Sequence, residues 1–393
     1  MVPGGAEGRR VNRPAQAFEA VPPWRRIVVA SLRAAYAWSK RHEHAKAMRE
    51  VSRMTGVVMA VHGPGRGPVT PRDLATALHL PLGELPALAD CPEPEAAAVV
   101  LLRGDELTGE AYDLACEYAA PLGAAIDHEQ WLPTWTRMRS EQIRQESYAA
   151  MTATGRQDDY VRSRRFLIEH PAGNHDDLMD ARSVSGAALA PFGYSQIPAE
   201  QLHQPAGGPA WWFPCPTCRW PMAVTGDLVR CRYRPHVAAY RVRQGRSAGH
   251  RPVLSRIDAG PAAKTPVPQP AAGGRCVDPG VWRFVVVPGI AELRLFRALD
   301  RPGISVELWP ELDDYDLHVR VGSTEYRADL KEYQSVGRLV DHLKTTLPDA
   351  EVVLPTTHEY QLETLRRAVP RSVVITTEKR FRNRVLRQLK EKS

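Results

Sequence analysis

Apolar positions recur at helical intervals through the first part of the chain. Over residues 22–60, Ile27, Val28, Leu32, Tyr36 and Trp38 are spaced mostly at helical intervals, which predicts helix. The stretch MAVHGPGRGPVTP (59–71) interrupts it with glycine and proline. Thr70, followed by Pro71 and Asp73, predicts a helix start with Thr70 as N-cap. Further helices are expected around 72–79, 94–103, 108–120 and, in DDYVRSRRFLIEH, over 158–170. No strand-like alternation of any length precedes that point, so residues 1–200 read as a mainly α-helical adaptor domain. TPRDLATALHLPLGELPAL invites a helix-turn-helix reading, but two short packing helices account for the same leucines.

The pattern changes twice after residue 200. Residues 202–257 are rich in Pro, Gly and Arg, and DAGPAAKTPVPQPAAGGR (within 258–280) reads as a flexible linker. From Val281 onward, strands and helices alternate. GIAELRLFRALDRPG (289–303) predicts an amphipathic helix closed by Gly303, and ISVELW (304–309) a short strand. YDLHVRV (315–321) places Tyr315, Leu317, Val319 and Val321 on one face, and EYRADLKEY (325–333) follows across a Gly-Ser turn. Helices at 335–347 and 359–369 then alternate with strands at 351–356 and 372–377, before a basic final helix. The expected fold class is therefore multidomain: a helical N-terminal domain, a small cysteine-bearing module, and a C-terminal α/β domain (281–393) with a central mixed sheet.

Composition narrows the function. At 393 residues and 43% hydrophobic, the chain has enough core for two or three domains. No run of 18 apolar residues is present, so no membrane-spanning helix is expected. MVPGGAEGRRVNRP lacks the apolar stretch of a secretory signal, which makes a cytoplasmic location the expectation. The net charge of +7 is uneven: residues 1–200 carry 22 Lys+Arg against 25 Asp+Glu, residues 201–280 carry 11 against 3, and residues 281–393 carry 19 against 17. The excess in the middle segment is almost all arginine, whose planar fork suits phosphate, and it points to a nucleic-acid partner.

Four of the six cysteines lie in that basic segment. In WWFPCPTCRWPMAVTGDLVRCRYRPH, Cys215 and Cys218 form a CxxC knuckle, and Cys231 and His236 follow across a short hairpin turning at Thr225-Gly226-Asp227. This is the logic of a zinc ribbon over 202–257: one turn supplies two ligands and the hairpin brings the second pair across. His250 or Cys276 are alternatives for the fourth ligand. A redox CxxC would need a strand-to-helix setting, which Pro214, Pro216 and Pro221 disfavour. Arg219, Arg230, Arg232 and Arg234 surround the knuckles as candidate phosphate contacts.

In the C-terminal domain, Asp316 begins one strand, while Asp329 and Lys331 sit two apart on the next and so share a face. A turn joining the strands places the two carboxylates together as ligands for Mg²⁺ (or Mn²⁺), with the Leu330 carbonyl as a further candidate. Such an ion activates water and stabilises phosphodiester charge, while Lys331 neutralises the transition state. Glu292, on the first helix, points into the same crevice if that helix packs beside the strands.

This order of elements and these residues resemble the restriction-endonuclease-like PD-(D/E)xK superfamily, whose core is αβββαβ. Asp316 matches its first acidic position, Asp329 and Lys331 its (D/E)xK pair, and Glu292 the acidic residue of its first helix. Tyr315 stands where the superfamily often has proline. The stretches CPTC…RC…H, WRFVVVPGIAELRLFRAL, VELWPELDDYDLHV and RADLKEY look more closely like the endonuclease of three-gene islands encoding a prokaryotic PIWI-RE protein and a DinG-like helicase. DLATALHLPL, AAAVVLLRGDELTGEAYDLACEY and DDYVRSRRFLIEHP resemble the helical Y domain of those islands. The resemblance implies a metal-dependent DNA endonuclease that acts with both partners against invading DNA. The other reading is a non-catalytic DNA-binding scaffold. The tail EKRFRNRVLRQLKEKS, with an apolar stripe at Phe381, Val385 and Leu389, reads either as a capping helix or as a lining of the DNA channel.

Overall fold

The helix expected over 22–60 is divided in two, α1 (Pro23–Ser39) and α2 (Ala47–His62), by the polar turn 40–46. The break lets Ile27, Val28 and Leu32 of α1 pack with Met54 and Val58 of α2 in one buried cluster. This computed structural model describes residues 22–63, 65–89, 91, 93–118, 145–187, 194–243, 251–258, 264–346 and 348–392. Helix α3 (Pro71–Ala77) starts as expected. Thr70 Oγ1 accepts from the Asp73 amide (3.1 Å), and the Asp73 carboxylate accepts from the Thr70 amide (2.9 Å). Two short 3₁₀ turns follow, with Leu74, Leu78, Leu82, Leu85 and Leu88 all buried. These leucines pack against α1, and α3 is followed directly by two 3₁₀ turns rather than a second helix, so this is a packing unit rather than a helix-turn-helix.

The helix expected at 94–103 is confined to α4 (Pro94–Ala97). The chain then enters a tight hairpin, β1 (Leu102–Arg103) with β2 (Glu106–Leu107), whose turn uses Gly104 at φ +61°. Helix α5 (Gly109–Tyr118) follows, and beyond it α6 (Gln157–Glu169) lies close to the interval expected for it.

Next come β3 (Ala172–Asn174), α7 (His175–Ser185), β4 (Ser195–Gln196) and β5 (Trp211–Trp212). A four-stranded antiparallel meander comprises β6 (Ala223–Thr225), β7 (Leu228–Arg230), β8 (Ala239–Arg243) and β9 (Val253–Arg256). The expected hairpin turn is Gly226-Asp227, with Gly226 at φ +60°. Strand β10 (Gln269–Pro270) pairs with β5, and β11 (Gly274–Cys276) lies between β3 and β4. The stretch expected to be a flexible linker is thus built into two small sheets over its described part. Its glycines serve close approach: a Cβ on Gly274 would meet Ile197 Cδ1 at 2.9 Å.

The C-terminal region begins with the turn Pro279–Val281 and a widened π turn, Trp282–Val286, leading into α8 (Val287–Leu299). Pro288, lacking an N–H, stands where the helical ladder changes pitch. Five strands follow in sheet order: β12 (Ser305–Leu308), β13 (Leu317–Val321), β14 (Thr324–Leu330), β15 (Glu351–Leu354) and β16 (Ile375–Thr377). The first three pair antiparallel, and β14, β15 and β16 pair parallel, connected through α9 (Val336–Thr345) and α10 (Leu362–Ala368). Helix α11 (Glu378–Lys392) ends the chain. Alternation along β15 divides the core: Val353 joins Leu317, Val319 and Phe381 on one side, while Val352 and Leu354 join Leu339, Leu343 and Leu365 on the other. Val385 of α11 is buried with the former group, as its apolar stripe predicts.

Candidate metal centre and acidic site

The two cysteine knuckles are built from left-handed turns. The Arg219 amide donates to the Cys215 carbonyl (2.8 Å), and Arg219 takes φ +59°, closing the CxxC loop. In the second turn the His236 amide reaches the Tyr233 carbonyl (3.1 Å), and the Cys231 amide reaches Ala238 (2.9 Å). These turns bring the ligating atoms of Cys215, Cys218, Cys231 and His236 within 4.8 Å of one another. Three soft sulfurs and one imidazole in a mostly buried cluster fit zinc and leave no protein-ligand position open. Burial opposes charge on Cys215, but hydrogen bonds from Cys218, Cys231 and His236 hold it well below the usual thiol range. Burial would lower His236, yet Cys218 and Cys215 push it up to about 10. His236 thus stands where a fourth ligand could come from. Cys276 lies apart on β11, its thiol pushed up to about 12 by burial, and His250 lies outside the described residues.

The cluster is tied to the rest of the molecule. Trp220 stacks on Trp282 with ring centroids 4.4 Å apart, and the Trp282 indole donates to Cys218 Sγ (3.3 Å). The Tyr233 hydroxyl donates to Glu332 Oε1 (2.6 Å), one residue past Lys331.

Each of the four arginines of the knuckles has a partner within the chain. Arg232 is buried, its side chain 7% exposed, and pairs with Glu200 (3.2 Å) while lying over the Trp220 ring. Arg230 and Arg234 both pair with Glu110 of α5 (3.4 and 3.5 Å). Arg219 donates to the Glu169 carbonyl at the end of α6 (2.8 Å). The partners are acidic residues and a carbonyl of the preceding segment. Of the four candidate phosphate contacts, Arg219 and Arg234 are exposed, Arg230 is half-buried, and Arg232 has little exposed surface to meet a ligand.

The acidic residues gather where β13 and β14 meet α8. Asp316 precedes β13; its amide donates to the Ala328 carbonyl (3.1 Å), and its Oδ2 accepts from the Leu330 amide (2.5 Å). Asp329 and Lys331 share a face as predicted, and their side chains pair at 2.8 Å. Burial, reinforced by the charges of Glu292, Asp329 and Asp313, pushes Asp316 well above the usual carboxylate range. Burial pulls Lys331 down, but Asp329 and Asp316 outweigh it and hold Lys331 above its ordinary value. The cluster is short of positive charge, which is the condition a divalent cation relieves, and Asp316 and Asp329 offer the hard oxygens for one.

Glu292 is present in the crevice but engaged. Its carboxylate accepts from Arg164 (2.8 and 3.1 Å) and from the Trp309 indole (2.5 Å), and it is 2% exposed. Burial lifts it to about 7 despite the guanidinium beside it. Arg164 comes from α6; it also donates to Asp313 and to the Tyr160 hydroxyl, and lies 4.0 Å from Asp316. Sequence reading placed no functional residue on α6. The available signal was a charge on an apolar stripe: Arg164 falls four residues after Tyr160 and three before Leu167, both buried.

Two protein-family models match parts of the chain. Residues 289–393 match the family described as REase associating with pPIWI_RE, and residues 23–174 match the pPIWI_RE three-gene island domain Y. Over these two segments the chain is similar to an island Y domain and to a pPIWI-RE-associated REase. No curated protein and no solved structure matches it. Asp316, Asp329, Lys331 and Glu292 all fall within the REase match, and Arg164 falls within the Y match. The acidic crevice is therefore assembled from both. Among the described residues no helix is long and apolar enough to cross a membrane.

Proposed function

We propose that the chain is a metal-dependent DNA endonuclease with a PD-(D/E)xK site formed by Asp316, Asp329 and Lys331. The observation that carries this reading is the juxtaposition of a buried, charge-starved carboxylate with the Asp329–Lys331 pair, inside the segment that matches a REase family. Mg²⁺ or Mn²⁺ held by Asp316 and Asp329 would supply an activated water and a Lewis acid for the phosphodiester. Lys331, kept protonated by its two carboxylate neighbours, stabilises charge developing on the scissile phosphate. The Leu330 amide fixes one Asp316 oxygen, and the other lies 4.0 Å from the Arg164 guanidinium. The Cys215, Cys218, Cys231 and His236 cluster is a structural zinc site.

Two partner classes follow. DNA is the substrate, and Arg234, 62% exposed at its side chain beside Glu110, lies where it can also meet a phosphate, alongside the basic α11. The island membership of both matched segments makes the PIWI-RE protein the expected protein partner, with the DinG-like helicase acting in the same defence against invading DNA. The test is to incubate the purified full chain with supercoiled plasmid, with and without Mg²⁺ or Mn²⁺. Metal-dependent nicking supports the enzyme; binding without nicking under any metal supports the scaffold reading.

A further inference from the structure

We propose that Gln157 and Arg164 of α6 are positioning residues for the nuclease centre: they latch the turn 309–313, which delivers Asp316. The proposal rests on the reading of Asp316 and Asp329 as the metal-binding carboxylates.

The turn is unfavourable on its own. Trp309, Glu311, Leu312 and Asp313 have φ of +48°, +55°, +59° and +83°, although none is glycine. Left-handed backbone places Cβ too close to the following carbonyl, and a run of it persists only where surroundings over-determine it. Here the surroundings are the side chains of residues 148–164. Gln157 Nε2 donates to the carbonyls of Leu308 (3.2 Å) and Trp309 (2.7 Å), and its Oε1 accepts from the Leu312 amide (2.9 Å). The Tyr148 hydroxyl donates to the Leu312 carbonyl (2.9 Å). Arg164 donates to Asp313 and covers the Trp309 ring, with its Cζ 4.6 Å from the centroid. Tyr160 meets the same ring edge-on at 6.4 Å.

The latched turn is connected to the site at both ends. The Trp309 amide donates to the Asp316 carbonyl (2.8 Å), so the turn's geometry sets where Asp316 leads into β13. Arg164 and the Trp309 indole together satisfy Glu292, which removes that carboxylate from the set available to a metal. What remains for the ion is Asp316 and Asp329. The same guanidinium could be imagined as an inhibitor standing in place of the ion. The distances favour positioning, because Arg164 bonds Glu292 and Asp313 and stays 4.0 Å from Asp316. Because α6 belongs to the Y match, nuclease competence is coupled to the docking of that domain.

The experiment uses the full chain as wild type, Gln157→Ala, Arg164→Lys and Arg164→Met. It measures Mn²⁺ affinity by calorimetry without DNA, hydrogen exchange of peptides covering 308–316, zinc content and plasmid nicking. Gln157→Ala leaves every buried charge paired, so it tests the latch without the folding risk of Arg164→Met. The expected result is at least about 10-fold weaker Mn²⁺ binding and faster exchange at 308–316 in Gln157→Ala, with zinc content unchanged. Arg164→Lys keeps the charge but cannot serve Glu292 and Asp313 with one fork, and should fall between wild type and Arg164→Met. Increased nicking by Arg164→Met or Arg164→Lys would overturn positioning in favour of inhibition. Unchanged Mn²⁺ affinity and exchange in Gln157→Ala and Arg164→Lys, beside an active wild type, would overturn the latch alone. A wild-type chain that neither binds Mn²⁺ nor nicks overturns the metal site and the latch with it.

Discussion

Replacing Tyr233 with Phe removes one oxygen and tests whether the cysteine cluster and the acidic strand behave as one unit. Tyr233 is fully buried between Cys231 and His236, and its hydroxyl donates to Glu332 at 2.6 Å. The second oxygen of Glu332 is buried without a hydrogen bond, and burial already pushes this carboxyl above its ordinary range, against the pull of Tyr233 and Arg283. A hydrogen bond to a charged group contributes about 1.5–3 kcal/mol, which corresponds to roughly 10–150-fold in an opening equilibrium. The lost oxygen leaves little void, so the cost is the lost bond and the stranded carboxylate rather than a cavity. Native-state hydrogen exchange reads such local opening directly. Protection in Tyr233→Phe should fall by about 10–100-fold in peptides covering 229–238 and 328–334 together. A loss confined to the first segment, or no loss at all, would show that the zinc module does not brace the strand bearing Asp329 and Lys331.

Two further outcomes are expected. Glu292 is displaced from 4.5 to about 7 by burial, so between those values the folded chain holds a proton that the unfolded chain has lost. Stability should therefore fall as pH rises through that window, by up to about 3 kcal/mol, and Asp316 adds in the same direction; urea unfolding from pH 4.5 to 8 should show the slope reduced in Glu292→Gln, and an unchanged slope contradicts the assignment. Elemental analysis should find about one zinc per chain in protein prepared without chelator, with zinc and local structure lost in Cys231→Ser, since structural zinc contributes folding free energy directly; zinc-free wild-type protein that is folded around Cys215 refutes the site.

The α/β region was legible because its cues are local. Alternation in YDLHVRV, the Gly322 turn and the apolar spacing of α9 and α10 fixed the order of strands and helices, and the D-x-K spacing put Asp329 and Lys331 on one face. Thr70 and Asp73 announced their capping box in the same way, and CxxC with a hairpin pointed to the cluster that Cys215, Cys218, Cys231 and His236 form. Long-range pairing was not legible. Glycines 273 and 274 look like linker composition, but their small size is what lets β11 pass between β3 and β4 beneath Ile197. The arginines near the knuckles were counted as free charge, whereas Glu110 and Glu200, far upstream in sequence, partner three of them. Gln157 and Arg164 escaped notice for the same reason: their partners lie about 130–155 residues away, and nothing in the spacing of α6 names them.

The central claim is that Asp329 acts chemically rather than structurally, and the isosteric Asp329→Asn variant tests it most directly. Asn keeps the size of the side chain and a carbonyl near Lys331 but removes the charge a metal requires. With circular dichroism and zinc content matched to wild type, single-turnover plasmid nicking in Mn²⁺ should fall by at least about 100-fold, as expected when a preorganised electrostatic group is lost from the reacting centre. Nicking by Asp329→Asn at the wild-type rate would contradict the account, placing the chemistry elsewhere in the chain.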